Sequence, residues 1–164
     1  MNTQLSSTAV QQVTLPAQPY VGYRGTIKPE VPAYEAFFTE AFGQIMAALG
    51  QQGLAPTGAP ASHYLCYTPD EVELEAVMPV AGEVQVQAPL TSATRPAGPA
   101  IGILHQGPYE GLQATYDKLN AYLQAHKLGD VRQVPLAIEV YLTDPGAEPD
   151  ASKWETEVYY MLPQ

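Results

Sequence analysis

The sequence predicts an α+β fold: two β-α-β-β half-domains related by a pseudo-twofold axis, an antiparallel sheet with two main helices on one face, and a ligand cleft between the halves. Three observations lead there. First, 164 residues, 46% hydrophobic and 15% charged, suit one folded domain, residues 1–164, that buries about 68–70% of its unfolded surface. Second, the chain repeats itself. Third, each repeat holds one stretch of helical periodicity among stretches that alternate like strands.

The repeat sets Leu15-Pro-Ala-Gln-Pro-Tyr-Val-Gly22 against Arg95-Pro-Ala-Gly-Pro-Ala-Ile-Gly102, an offset of 80. Phe38, Phe42, Ile45, Ala48 and Leu49 then match Leu112, Tyr116, Leu119, Tyr122 and Leu123 at an offset of 74, both with the i, i+4, i+7 spacing of an amphipathic helix. Pro60–Pro69 follows Pro135–Pro145 with one residue inserted, and Val72–Pro79 follows Glu155–Pro163. The half-repeats therefore run from about 9 to 80 and from about 82 to 163.

Element by element, the first half reads as a leading strand at 9–15, a strand at 19–26, a helix at 32–51 and strands at 61–67 and 71–78. The second reads as a leading strand at 83–88, a strand at 99–106, a helix at 108–126 and strands at 135–143 and 154–162. Gly107-Pro108 starts the second helix with a proline in the first turn, where its missing N–H is harmless, and Gly129 follows its end.

Charge and composition narrow the function. Seven Lys+Arg against seventeen Asp+Glu give a net charge of -10, which repels phosphate backbones and anionic lipid, so no direct nucleic-acid or membrane binding is expected. No apolar run is long enough to span a bilayer and the N-terminus has no signal-peptide pattern. With the single cysteine, Cys66, this places the protein in the cytoplasm. G-x-S-x-G, P-loop, G-x-G-x-x-G and H-E-x-x-H motifs are absent, and no cofactor is expected. His63 and Cys66, three residues apart on a strand, should point to opposite faces, so no metal site is expected and Cys66 should pack as a small buried residue. Tyrosine supplies 11 of the aromatic residues, a ring with a polar handle that suits a ligand pocket.

Strand parity assigns the faces. Leu136, Ile138, Val140 and Leu142 form an aliphatic row expected beneath the helix, leaving Glu139 and Tyr141 on the opposite face. Glu157 and Tyr159 share a face on the last strand, and His63 and Tyr67 take the corresponding first-half strand, beside Glu73 and Glu75. Either this face is solvated, or it lines a cleft of aromatic rings over carboxylates that attracts flat, greasy or cationic molecules. Trp154 alternates to the helix side, in the core or at the pocket rim. His105, just before the helix, is expected to make a structural hydrogen bond, and His126 to sit favourably at the helix C-terminus.

His105-Gln-Gly-Pro-Tyr-Glu-Gly-Leu112, Glu139-Val-Tyr-Leu-Thr-Asp-Pro145 and Glu155-Thr-Glu-Val-Tyr159 fall in an order that resembles the GyrI-like small-molecule-binding domains, the superfamily of the effector-binding domains of AraC-type and MerR-type multidrug regulators. The resemblance covers about residues 9 to 163. It implies a pocket between the halves with an acidic floor and aromatic walls. Carried over, the ligand-binding residues are Glu139, Tyr141, Glu157 and Tyr159, with Tyr109 in the helix-entry motif; His63, in the place equivalent to Glu139, and Tyr67 stand for the first half, which departs from the pattern.

The resemblance implies binding of hydrophobic, aromatic or cationic compounds, in sensing, sequestration or carriage. Regulators of the superfamily usually add a helix-turn-helix, but this chain begins almost directly with a strand, so a stand-alone protein without a DNA-binding domain is expected. Two alternatives stay open. Some relatives hydrolyse strained cyclopropane-containing alkylating compounds, which would make Glu139 the catalytic residue, acting through a water with Tyr141 or Tyr159 as donor. The family's namesake inhibits DNA gyrase by contact, so a protein partner such as gyrase or a regulator is the other.

Overall fold

The structure, a computed structural model, describes residues 5–129 and 136–163. The elements are β1 (Gln11–Leu15), β2 (Gln18–Ile27), α1 (Val31–Gln51), β3 (Ala61–Tyr67), β4 (Val72–Pro79), β5 (Leu90–Arg95), β6 (Gly98–Gln106), a 3-10 turn (Tyr109–Gly111), α2 (Leu112–Ala125), β7 (Ala137–Tyr141), a second 3-10 turn (Ala151–Lys153) and β8 (Glu155–Met161). The α+β class and the β-α-β-β order of each half are as the sequence predicts. No helix of the described residues is long and apolar enough to cross a membrane.

The chain forms two compact units. In one, β5, β2, β4 and β3 pair antiparallel in that order. In the other the order is β1, β6, β8, β7, again antiparallel. The topologies are identical, but the leading strands are exchanged relative to the sequence repeat: β1 pairs with β6 of the second repeat and β5 with β2 of the first. The second leading strand also lies at Leu90–Arg95, not 83–88. The alternating 83–88 stretch instead tucks Val84 into the core under α1, its N–H bonded to the Ser92 hydroxyl. Pro135, expected to open a strand, lies outside the described residues.

In the unit built on β2, helix α1 lays Phe37, Ala41, Ile45 and Leu49 against Val21, Val72, Leu74, Ala76 and Met78. The i, i+4 spacing is that of one buried helical stripe. A Pro in its first turn fits the fixed φ needed there. In the other unit α2 buries Thr115, Leu119 and Leu123. Its hydrogen bonds reach His105, Glu139 and Tyr160, which fixes the face of each strand that α2 covers.

That observation corrects the parity expected for β7. Glu139 and Tyr141 lie on the α2 side, and the aliphatic row lies on the other. Ile138 there joins Leu5, Leu15, Ala100 and Tyr159, with Leu136 and Val140 packed around them, while Leu142 is exposed. A second apolar layer on the face away from the helix is the physical reason. With both faces of the sheet dry, an aliphatic row no longer identifies the helix side.

A second correction comes from β3. Its register slips between Tyr64 and Cys66, a β-bulge, so Cys66 opposes Glu73 and Tyr67 opposes Val72. A bulge inserts one residue and flips the faces beyond it. His63 and Cys66 therefore share a face, and Tyr67 does not share it with His63. Cys66 is exposed, not packed in the core.

Two glycines at matched repeat positions carry close contacts. A Cβ on Gly102 would stand 2.6 Å from the Tyr159 ring, and one on Gly22 would stand 2.7 Å from the Glu75 carboxylate. Gly43, exposed within α1, has nothing within 4 Å of an added Cβ. We therefore expect Gly102→Ala to lower the unfolding free energy by about 1–3 kcal/mol through overpacking, and Gly43→Ala to raise it by about 0.5–1 kcal/mol through helix propensity. Urea denaturation midpoints of the two variants, at unchanged m-value, check both signs.

Candidate functional site

Glu139 comes from the middle of β7 and is only 5% exposed. A carboxylate so buried needs donors, because leaving one unmet is costly. Two tyrosines supply them. The Tyr141 hydroxyl, two residues along the same strand face, donates to Glu139 Oε1 at 2.9 Å. The Tyr116 hydroxyl, from the first turns of α2, donates to Oε2 at 2.5 Å. Tyr116 in turn packs on Tyr160, with ring centroids 5.9 Å apart, and the Tyr160 hydroxyl donates to Asn120 at 3.0 Å.

Aromatic rings extend the cluster. Tyr109, on the 3-10 turn ahead of α2, lies 6.0 Å from the Tyr141 ring, edge to face, and 5.2 Å from the Trp154 ring. Trp154 is anchored by its indole N–H, which donates to the Glu148 carbonyl at 2.7 Å. Tyr109 is 37% exposed, so the rings run from solvent toward the buried carboxylate. Burial, reinforced by the negative charges of Glu139 and Asp144, pushes the Tyr109 phenol above its ordinary pKa, so it stays a neutral ring.

His105 holds the turn that carries Tyr109. Its Nε2 donates to the Pro108 carbonyl at 2.9 Å and its Nδ1 meets the Thr115 hydroxyl at 2.7 Å. A carbonyl only accepts, so Nε2 bears a proton, and in the neutral ring Nδ1 accepts from Thr115. The structural hydrogen bond expected of His105 is thus a double one. Gly107, at φ 114°, makes the bend before Pro108, and its N–H donates to the Trp154 carbonyl at 2.8 Å. Only glycine adopts that backbone without strain.

The other residues expected in the site lie apart from this cluster. Glu157 and Tyr159 project from the face of β8 opposite Glu139, since β8 pairs them with Val140 and Ile138. Tyr67 is 62% exposed at the end of β3. His63 belongs to a separate group: its Nδ1 is 3.4 Å from Glu75 Oε1, and the Tyr20 hydroxyl donates to the same oxygen at 3.1 Å. Tyr20 stands edge-on to His63 at 5.1 Å. This group lies on the sheet face away from α1. Nor is His63 equivalent to Glu139 in register. Ser62 opposes Ala76 as Glu139 opposes Val158, whereas His63 matches Val140 and Glu75 matches Glu157.

Sequence reasoning missed Tyr116 as a partner of Glu139. The periodicity places it on the inward stripe of the helix, and only the face of β7 decides that it meets Glu139. His126 stacks on Tyr122 at 3.9 Å at the end of α2.

A family model described as a GyrI-like small molecule binding domain matches residues 8–163. No curated protein matches the chain. Among solved structures, the crystal structure of the EcmrR C-terminal domain aligns with a TM-score of 0.80 at 20% identity, over 94% of this chain and 97% of that one. A hydrolase encoded by lin2189 from Listeria innocua aligns with a TM-score of 0.67 at 10% identity, over 97% and 93%. SAV2435 bound to tetraphenylphosphonium aligns with a TM-score of 0.60 at 14% identity, over 95% and 94%. At these identities the likeness is one of fold.

The two register-matched carboxylates, Glu75 and Glu157, titrate in opposite senses. Burial alone raises the Glu75 pKa, but hydrogen bonds and charge from His63, the Tyr20 hydroxyl and the Arg24 guanidinium outweigh it and hold the carboxyl below its ordinary value. Burial raises Glu157, which a hydrogen bond to Tyr159 offsets only in part. Burial and the adjacent Glu75 push Tyr20 up to about 12, which keeps it a donor. A depressed acid contributes stability above its unfolded pKa of about 4.3 and loses it as pH falls through the folded value; a raised acid contributes below about 4.3 and loses it as pH rises through the folded value. Glu75→Gln should therefore cost about 1–3 kcal/mol at pH 7 and progressively less below pH 4, whereas Glu157→Gln should raise stability at pH 7 and change it little at pH 4. Denaturant titrations of both variants across this range check the crossing signs.

Proposed function

Because the chain belongs to the GyrI-like small-molecule-binding family, matched over residues 8–163, we propose that it captures hydrophobic aromatic cations at the Glu139 cluster. The single observation that carries this reading is a buried carboxylate whose two oxygens accept from tyrosine hydroxyls while aromatic rings lead to it from the surface. Tyrosine and tryptophan faces attract a cation, and a carboxylate of low exposure neutralises it where water competes poorly. Tetraphenylphosphonium, the ligand named for SAV2435, has this chemistry: a charge spread within greasy rings. Sensing, sequestration and carriage are all served by such a site.

Hydrolysis of a cyclopropane-containing electrophile is the second reading, and the Listeria innocua hydrolase of the same fold is what favours it. In that mechanism Glu139 acts through a water. The donors beside it are Tyr116 and Tyr141, since Tyr159 projects from the other face of the sheet. A general base needs a lone pair turned toward the water it activates, and two of the carboxylate's lone-pair directions are taken by phenols. This weighs toward capture over turnover.

Isothermal titration with tetraphenylphosphonium and with neutral triphenylphosphine oxide tests the reading. Glu139→Gln should weaken the cation about tenfold to a hundredfold, the scale of about 1–3 kcal/mol for a charge-assisted contact, and change the neutral compound's affinity less than about twofold. Equal losses for both compounds, or none, overturn the role of the charge. Turnover of a cyclopropane-containing electrophile by the wild type, abolished in Glu139→Gln, would replace capture with hydrolysis.

A further inference from the structure

One buried polar atom near the Glu139 cluster has no hydrogen-bond partner among the described residues: the hydroxyl of Thr156. The residue is 0% exposed. A hydroxyl left unmet in the interior is costly, and such exceptions mark either an ordered water or a group that awaits a ligand. In the sheet Thr156 sits between His105 on β6 and Tyr141 on β7, on the face that α2 covers. Neither neighbour is available to it. Both ring nitrogens of His105 are engaged, by Thr115 and Pro108, and the Tyr141 hydroxyl is turned to Glu139.

The aromatic side chains around Thr156 are held unequally. Trp154, two residues earlier on the same face, and Tyr141, directly opposite, flank it. The Tyr109 ring rests on both of theirs, at 5.2 and 6.0 Å. Trp154 and Tyr141 are each tied by a hydrogen bond. Tyr109 is tied to them by ring contact alone and is partly exposed. Moving it aside costs only those two ring contacts, beside a buried hydroxyl that nothing else satisfies.

We infer that Thr156 is a specificity-determining residue of the site: its hydroxyl bonds a polar atom on the ligand, reached when Tyr109 swings off Trp154 and Tyr141. The inference rests on the Glu139 cluster being the binding site and deepens that reading. The site then takes aromatic cations that also carry a hydroxyl, ether or carbonyl. Glu139 meets the charge and Thr156 the neutral polar group. His105 positions the turn from which Tyr109 moves.

The test compares tetraphenylphosphonium with its 3-hydroxyphenyl and 4-hydroxyphenyl analogues, each differing by one oxygen, on wild type and Thr156→Val, which keeps the side-chain shape and deletes the hydroxyl. The wild type should bind at least one hydroxylated analogue about fivefold to tenfold more tightly than the parent, the scale of one hydrogen bond. Thr156→Val should erase that preference, so that all three compounds bind within about twofold of one another, and should unfold at a denaturant midpoint no lower than wild type, because an unmet hydroxyl is removed. A preference that survives in Thr156→Val, or no preference in a wild type that binds all three, overturns the role of Thr156 while the Glu139 reading stands. Failure of the wild type to bind any of the three overturns both.

Discussion

The charge on Glu139 cannot be left alone where it is. It sits on a central position of β7 under α2, nearly shut off from solvent, and the surroundings must supply hydrogen-bond donors to it. Tyrosine does this well. Its hydroxyl satisfies the carboxylate, and its ring fills the space around it with apolar surface. Tyr141 meets Glu139 from the same strand and Tyr116 from the helix, so one carboxylate fixes how α2 lies over β7. Tyr109 and Trp154 continue the ring surface outward. The phenols meet the carboxylate oxygens while their rings keep the surroundings apolar.

The two repeats solve the same packing problem with different chemistry. Gly25 and His105 occupy the matched point on the second strand of each repeat, 80 residues apart, while Phe37 and Gly111 occupy the matched point on the helix side, 74 apart. In the first repeat the strand residue is small and the helix residue large: Phe37 fills the place where a Gly25 side chain would stand. In the second the sizes are reversed, and the His105 ring lies 3.1 Å from where a Cβ on Gly111 would be. A hydrocarbon ring is enough to fill the gap in one unit. The imidazole in the other brings two hydrogen bonds as well, and these fasten the turn bearing Tyr109. The polar solution occurs in the unit that holds the aromatic cluster, where the orientation of a loop residue matters as well as the filling of space.

Much of the architecture was legible in the chain. The periodicity of Phe38 to Leu49 and of Leu112 to Leu123 located both helices, and Pro108 located the entry of the second. Seven of the strands fell near the alternating stretches assigned to them. The exception, the leading strand of the second repeat, was misplaced because Val84 and Val86 alternate as a strand does while Val84 serves only to close a core. The candidate site was legible in part. Glu139, Tyr141 and Tyr109 stand in motifs in order along the chain and Trp154 follows from strand parity, and the fold brings the four together. Glu157 and Tyr159 stand in the closing motif and His63 and Tyr67 follow from repeat matching, and the fold sets these four apart from that cluster.

The sequence by itself determined which segments are helical, which are extended, that the pattern occurs twice, and which residue types carry a charge or a ring. These follow from local spacing, because side-chain period and turn chemistry act over a few residues. Tertiary structure alone decided the faces. Parity sorts a strand into two sets without saying which set meets the helix, and the usual guide, that the greasier set goes inward, fails where the Leu5–Leu15–Tyr159 layer makes both sides of the sheet dry. It also decided which strand pairs with which, so that β1 and β5 exchange partners between repeats, and it decided that a bulge in β3 turns Tyr67 away from His63. Each of these depends on contacts between residues tens of positions apart, whose energy is not written in any local pattern.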